Sequence, residues 1–203
     1  MAQHESFDAI LNREFRWPRA GDLPFTQSKD WSANAYIDRQ GHGRLVLMIM
    51  GYKKAADLMV EKANEERIDR DTLIFPIMFN YRQFIELSLK HLISQYGPTV
   101  GIAANWQSHD LHFLWKVFVD VLTDYGHGAQ EEADTAVASI ITEFAKVDPN
   151  SFSYRYPVDR QGRPILLPSQ GVDLTALSDV MKGVDGYFTG CDGYLDHLQS
   201  AGP

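Results

Sequence analysis

The chain has 203 residues, 44% hydrophobic and 23% charged, enough apolar material for one compact core and too much for a disordered polypeptide. Its 19 Lys and Arg face 27 Asp and Glu, a formal net charge of −8, so general coating of phosphate backbones or anionic lipid is disfavoured. Cys191 is the single cysteine, which excludes an internal disulfide framework and any Cys-rich zinc module and suits a reducing compartment. The longest apolar runs, such as Leu45 to Met50, fall far short of the ~20 residues that span a bilayer. The N-terminus lacks a signal-peptide pattern, and the expectation is a cytoplasmic protein with no membrane association.

Residues 1–41 read as an N-terminal arm: a brief amphipathic stretch with Phe7, Ile10 and Leu11 on one face, then an extended segment with Pro18, Pro24, Trp17, Phe25 and Trp31. Residues 42–203 read as one helical domain. From Gly43 the spacing turns helical, with Leu45, Met48, Tyr52, Ala55, Ala56, Met59 and Ala63 in one stripe. Asp71 is the expected cap of a second helix, with Pro76 near its first turn and Gly97-Pro98 at its end. Its apolar residues nearly encircle it, which makes it the central helix.

Ser108 is the expected cap of a third helix, whose stripe runs Leu111, Leu114, Trp115, Phe118, Val121, Leu122 and Tyr125. A fourth starts after Gly128 with Glu131, Glu132 and Asp134 at its positive end, buries Ala133, Val137, Ile140, Ile141 and Phe144, and stops at Asp148-Pro149. Between Ser151 and Pro168 the period falls to two, with Phe152, Tyr154, Tyr156 and Val158 on one side and a Gln161-Gly162 turn signal, so residues 151–168 read as a short extended flap or hairpin. Asp-Arg-Gln-Gly occurs at 38–41 and at 159–162, two similar turns without matching flanks.

The last helix is expected over about 173–198, where Leu174, Leu177, Met181, Val184, Phe188, Cys191, Leu195 and Leu198 form a heptad seam. Gly183, Gly186, Gly190 and Gly193 lie on the other face, each costing a helix ~1 kcal/mol relative to alanine. Either another backbone approaches there, as in a dimer, or the helix breaks near Gly186 or Gly190. The fold class is thus all-α, an up-and-down bundle of about five helices with an arm and a flap.

Three groups carry the candidate chemistry. Arg82, Glu86 and Lys90 are four residues apart and share one line of the second helix. They are either a solvated stripe of ordinary ion pairs or a polar seam in which Glu86 holds Arg82 and Lys90 for an anionic ligand, and periodicity alone favours the stripe. His109 is placed in the first turn of the third helix, where the positive dipole end disfavours an imidazolium. It has His112 three residues on, but capping or packing explains that spacing better than a metal. From Val147 to Gln170, Arg155, Arg160 and Arg163 oppose only Asp148 and Asp159, a local charge of +1 against −9 for the rest. Arg155 between Tyr154 and Tyr156 can stack on a base and fork onto phosphate, although a tie to carboxylates of the bundle is the more ordinary use. His91 and His127 carry no specific signal. No Gly-rich phosphate loop, His-Glu-x-x-His or Gly-x-Ser-x-Gly occurs, and no cofactor or metal is expected.

The runs Tyr81-Arg82-Gln83-Phe84-Ile85-Glu86-Leu87-Ser88-Leu89-Lys90-His91-Leu92-Ile93, His109-Asp110-Leu111-His112-Phe113-Leu114-Trp115 and Tyr154-Arg155-Tyr156-Pro157 resemble the HEPN superfamily, over roughly residues 45–160 in element order. The resemblance implies an all-helical bundle, frequent homodimerisation, and a bacterial setting of RNA cleavage, toxin–antitoxin pairs, phage defence or nucleotide-associated modules. Catalytic HEPN ribonucleases carry an Arg followed after four to six residues by His. Here Arg82 is too far before His91, Arg39 too near His42, and Arg155 has no His until His197.

The reading that follows is a non-catalytic HEPN-like module, homodimeric, binding a nucleotide, an RNA end or a protein partner through Arg82, Glu86, Lys90, His109 and Arg155. The alternatives are a divergent metal-independent ribonuclease using Arg82, His109 and Arg155, and a structural subunit docking through its last helix. Convergence of Glu86, His109 and Arg155 in one cleft separates a site from a scaffold.

Overall fold

The computed structural model describes residues 16–37, 42–128, 131–167 and 171–201. The expected helix around Phe7 to Leu11 and the first Asp-Arg-Gln-Gly tetrapeptide lie outside the described residues. The chain divides into two units, Met1–Ile37 and Asp38–Pro203. Among the described residues of the first, one 3-10 turn, Trp31–Ala33, is capped by Asp30, whose carboxylate accepts from the Ser32 N–H at 3.0 Å and the Ser32 hydroxyl at 2.7 Å.

Among its described residues the second unit holds five α-helices: α1 His42–Glu65, α2 Arg67–Tyr96, α3 Leu111–Asp124, α4 Glu132–Val147 and α5 Leu174–Ala201. Among the described residues regular structure is helical throughout. One extended residue, Glu66, separates α1 from α2, and Arg70 closes the reversal by donating to the Ala63 carbonyl at 3.1 Å. This is why α2 begins before Asp71, which caps nothing, and why Pro76 lies inside the helix rather than in its first turn, at the loss of one backbone hydrogen bond. On α1, Ala56, Val60 and Ala63 are buried, while Met48 from the expected stripe is exposed.

From Ile77 onward α2 is buried on nearly every side, as its all-round apolar pattern requires. It runs into a 3-10 turn, Gly97–Val100, where a Cβ on Gly97 would stand 2.5 Å from the Ile102 carbonyl oxygen. Only glycine fits that close approach. The cap of α3 is Asp110, not Ser108: its side chain accepts from the N–H groups of His112 and Phe113. A carboxylate at that position also meets the positive helix end.

In α4 Ala133 is exposed and Asp134 is buried, the reverse of expectation, because three donors reach the carboxylate. Tyr187 Oη donates to it at 2.6 Å, the Glu131 N–H at 2.9 Å, and His127 Nε2 lies at 2.9 Å. Helix α5 is continuous for 28 residues and is capped by Asp173, so it does not break at its glycines. Nor does any described backbone approach them: a Cβ at Gly183, Gly186, Gly190 or Gly193 would meet nothing within 4 Å.

The segment after α4 departs from the alternating pattern. Ser151 adopts a left-handed φ of 56°, and the N–H groups of Arg155 and Tyr156 both donate to the Phe152 carbonyl. Residues 152–156 therefore form a turn, with Phe152 and Tyr156 stacked 4.5 Å apart rather than spaced along an extended side. Beyond it a tight reversal carries one antiparallel bridge, Val158 to Pro164, with Gly162 at φ +77°.

Candidate functional site

The line Arg82, Glu86, Lys90 is not a solvated stripe; their exposures are 0%, 2% and 3%. A helix enclosed on every side has no face left for water, so its three ionic groups must satisfy one another. Glu86 does most of this. Its Oε2 accepts from Arg82 Nη1 at 2.8 Å, and its Oε1 accepts from Lys90 Nζ at 2.8 Å and lies 2.9 Å from His109 Nδ1. Burial pushes the Glu86 carboxyl up, but the hydrogen bond and charge of Lys90, with the bonds from Arg82 and His109, outweigh it and hold the group below the usual carboxylate range.

Every nitrogen of the Arg82 guanidinium is used. Beside Glu86, Nη2 donates to the His109 carbonyl at 2.7 Å and Nε to the Asp148 carbonyl at 2.8 Å, while Lys90 also donates to the Trp106 carbonyl at 3.1 Å. Asp148 is fully buried; its Oδ1 accepts from the N–H groups of Phe152 and Ser153 at 2.6 and 2.9 Å. Its Oδ2 has no hydrogen bond, only the Arg82 charge at 3.4 Å. Two cations and two anions thus share one buried network, the balance that keeps such burial tolerable.

His109 precedes the N-cap of α3 rather than sitting in its first turn, so the helix dipole does not act on it as expected. Its ring turns to Glu86 with the side chain 54% exposed. With Glu86 ionised, Nδ1 is the donor in that contact; in the neutral ring Nε2 would then be the acceptor, which is what a general base requires. His112 is exposed on α3, and among the described residues no three His, Cys, Asp or Glu side chains gather as a metal would need.

Arg155 does not join the Glu86–His109 pair. Its Nε donates to the Ser151 carbonyl at 2.7 Å, and its guanidinium carbon lies 5.7, 5.9 and 5.7 Å from the ring centroids of Phe79, Phe152 and Tyr156. The expected tie to a carboxylate of the helices is not made among the described residues. The side chain lines a recess of roughly 410 Å³ with Phe75, Tyr154, Tyr156, Ile165 and Leu167. Desolvation in this region pushes the Tyr154 phenol up to about 12, leaving it neutral. Of the neighbouring arginines, Arg163 pairs with Asp159 at 2.7 Å.

The two places are nonetheless connected. Arg82 holds the Asp148 carbonyl, Asp148 holds the turn at 152–156, and Gln83 Nε2 donates to the Ser151 hydroxyl at 2.7 Å beneath Arg155. Asp148 and Ser151 were not singled out by spacing. The only trace in the sequence is the Asp-Pro-Asn-Ser run after α4, which reads as a helix stop and equally suits a carboxylate collecting backbone N–H groups. His127 likewise has a role that its Gly-His-Gly setting hides, on Asp134. No family model, curated protein or solved structure matches the chain.

Proposed function

We propose that the chain is a non-catalytic, HEPN-like binding module, an up-and-down bundle in which Arg155 and its aromatic neighbours receive the end of an RNA or a nucleotide. The observation that carries the reading is the state of Arg155: stacked among three rings, anchored through Nε alone, and free of any carboxylate among the described residues. A guanidinium so placed keeps its outer N–H groups for a phosphate while the rings beside it take a base. Two further features support it. The three segments of the HEPN likeness are linked through Arg82, which reaches the His109 carbonyl and, through Asp148, the flap. Ser151, in a left-handed conformation, sits under Arg155, and such residues gather at binding sites that the surrounding structure over-determines.

The ribonuclease alternative draws on one observation, the oriented Glu86–His109 pair. Against it, Arg82 donates from all three nitrogens to protein acceptors, and Lys90, on the other side of Glu86, is buried and donates to Glu86 and the Trp106 carbonyl, so both cations near His109 are committed to protein groups rather than to a scissile phosphate.

The test is a fluorescence-anisotropy titration with a labelled single-stranded RNA of about ten nucleotides. Arg155→Ala is expected to weaken binding about tenfold or more with an unchanged unfolding transition, and Arg155→Lys to recover only part of the loss. Equal affinity of the wild type and Arg155→Ala removes the proposal. RNA cleavage lost in His109→Ala would establish the alternative.

A further inference from the structure

The recess at Arg155 continues into a second one. Phe75, Tyr154 and Leu167 line both, and the second, of roughly 450 Å³, lies between α2, the end of α4 and the start of α5. That volume is of the size that takes a small molecule. Its character differs from that of the first. Ile74, Met78, Val147, Val172 and Leu174 supply most of its wall, and its charged side chains among the described residues are one of each sign, Arg70 and Asp71. About the two recesses large apolar side chains stay partly in water: Phe75 is 45% exposed, Tyr156 48% and Val172 49%. Apolar surface left exposed around a concave place marks a site of binding. A nucleobase suits the second recess poorly, because the polar edge of the ring would lie unpaired against aliphatic side chains. A saturated chain has no such edge.

We infer that the phosphate ligand of Arg155 carries a medium-length alkyl or acyl chain, and that this chain fills the second recess. The inference rests on Arg155 receiving a phosphate. A nucleotide esterified with such a chain and a lipid phosphate share this chemistry. The phosphate takes the outer N–H groups of Arg155, the chain passes Phe75 and Tyr154, and its end lies against Ile74, Met78 and Leu174. A ligand without the chain leaves the apolar recess to water, and one without the phosphate leaves the guanidinium without its anion, so the two halves reinforce each other on one molecule.

The experiment is a ligand-observed NMR titration of the full chain with ethyl phosphate, octyl phosphate, octanol and the octyl ester of adenosine monophosphate. Octyl phosphate is expected to bind at least about a hundredfold more tightly than ethyl phosphate, since each fully buried methylene contributes about fourfold, and about tenfold more tightly than octanol. Arg155→Ala should abolish the preference over octanol. Ile74→Gln should cut the preference for the longer chain about tenfold and leave ethyl phosphate unaffected. If Ile74→Gln proves unfolded, Val172→Asn, where nearly half the side chain is in water, takes its place with the same expected direction. Of the two octyl phosphates, the tighter binder identifies the source of the chain. Equal affinity for ethyl and octyl phosphate, or a chain preference untouched by the folded variant, overturns the inference, and does so without touching RNA binding that depends on Arg155. Octanol bound as tightly as octyl phosphate by the wild type overturns the reading of Arg155 as well.

Discussion

A single carboxylate organises the buried polar network. Glu86 receives Arg82, Lys90 and His109, so its neutralisation leaves two buried cations short of a counter-charge. Glu86→Gln is expected to lower unfolding stability by about 3 kcal/mol, measured by urea denaturation. The same group sets an acid limit. Because its folded value lies below the ordinary carboxylate value, its contribution is complete above the ordinary range and is lost as pH falls through the lowered one. The Glu86→Gln variant should therefore lose less stability on acidification than the wild type, and parallel curves for the two would refute this. Cys191 makes a second residue-scale prediction. Burial raises its thiol to about 11, so alkylation at pH 8 should run about tenfold slower in the native chain than in urea.

Among the elements, the helix ends separate what spacing reveals from what it hides. Periodicity locates α3 and the seam of α5 because each has one apolar face, and their buried residues, Leu111 to Leu122 and Leu174 to Leu195, follow it. It cannot choose between Ser108 and Asp110 as the cap, two residues apart and both suited to the role. Asp110→Ala is expected to cost about 1 kcal/mol and Ser108→Ala much less, again by urea titration. For α2 the pattern held a contradiction that only packing resolves: a helix apolar on every side cannot also carry a stripe in water. The spacing of Arg82, Glu86 and Lys90 was legible; their burial followed from the first reading, not from the ion-pair habit. The glycines of α5 supply a further test. With open space beside Gly186 and Gly190, alanine there should stabilise the isolated chain by about 0.5–1 kcal/mol each. Destabilisation, with loss of a dimer in light scattering, would favour the docking role of that face.

At the scale of the whole molecule, side-chain contacts join two regions far apart in sequence. The turn at 152–156 is distant from α2 along the chain, yet Arg82, Gln83 and Asp148 tie it to that helix. Sequence reasoning found the ends of this connection, the ionic line and the cationic flap, and missed the middle. Asp148 and Ser151 each act in part through a backbone carbonyl, which receives Arg82 and Arg155 respectively, and no side-chain pattern records where such a carbonyl lies. The tie gives α2 a task beyond filling the core, since it fixes where Arg155 stands.

The most direct test is hydrogen exchange at the amides of Phe152 and Ser153 in Arg82→Lys, which keeps the charge but cannot reach three acceptors at once. Exchange at these two amides should rise at least about tenfold while those of Ile85 and Leu89 in α2 keep their protection. Unchanged exchange at Phe152 and Ser153 would contradict the account, because the turn at 152–156 would then hold its place without the buried line beneath it.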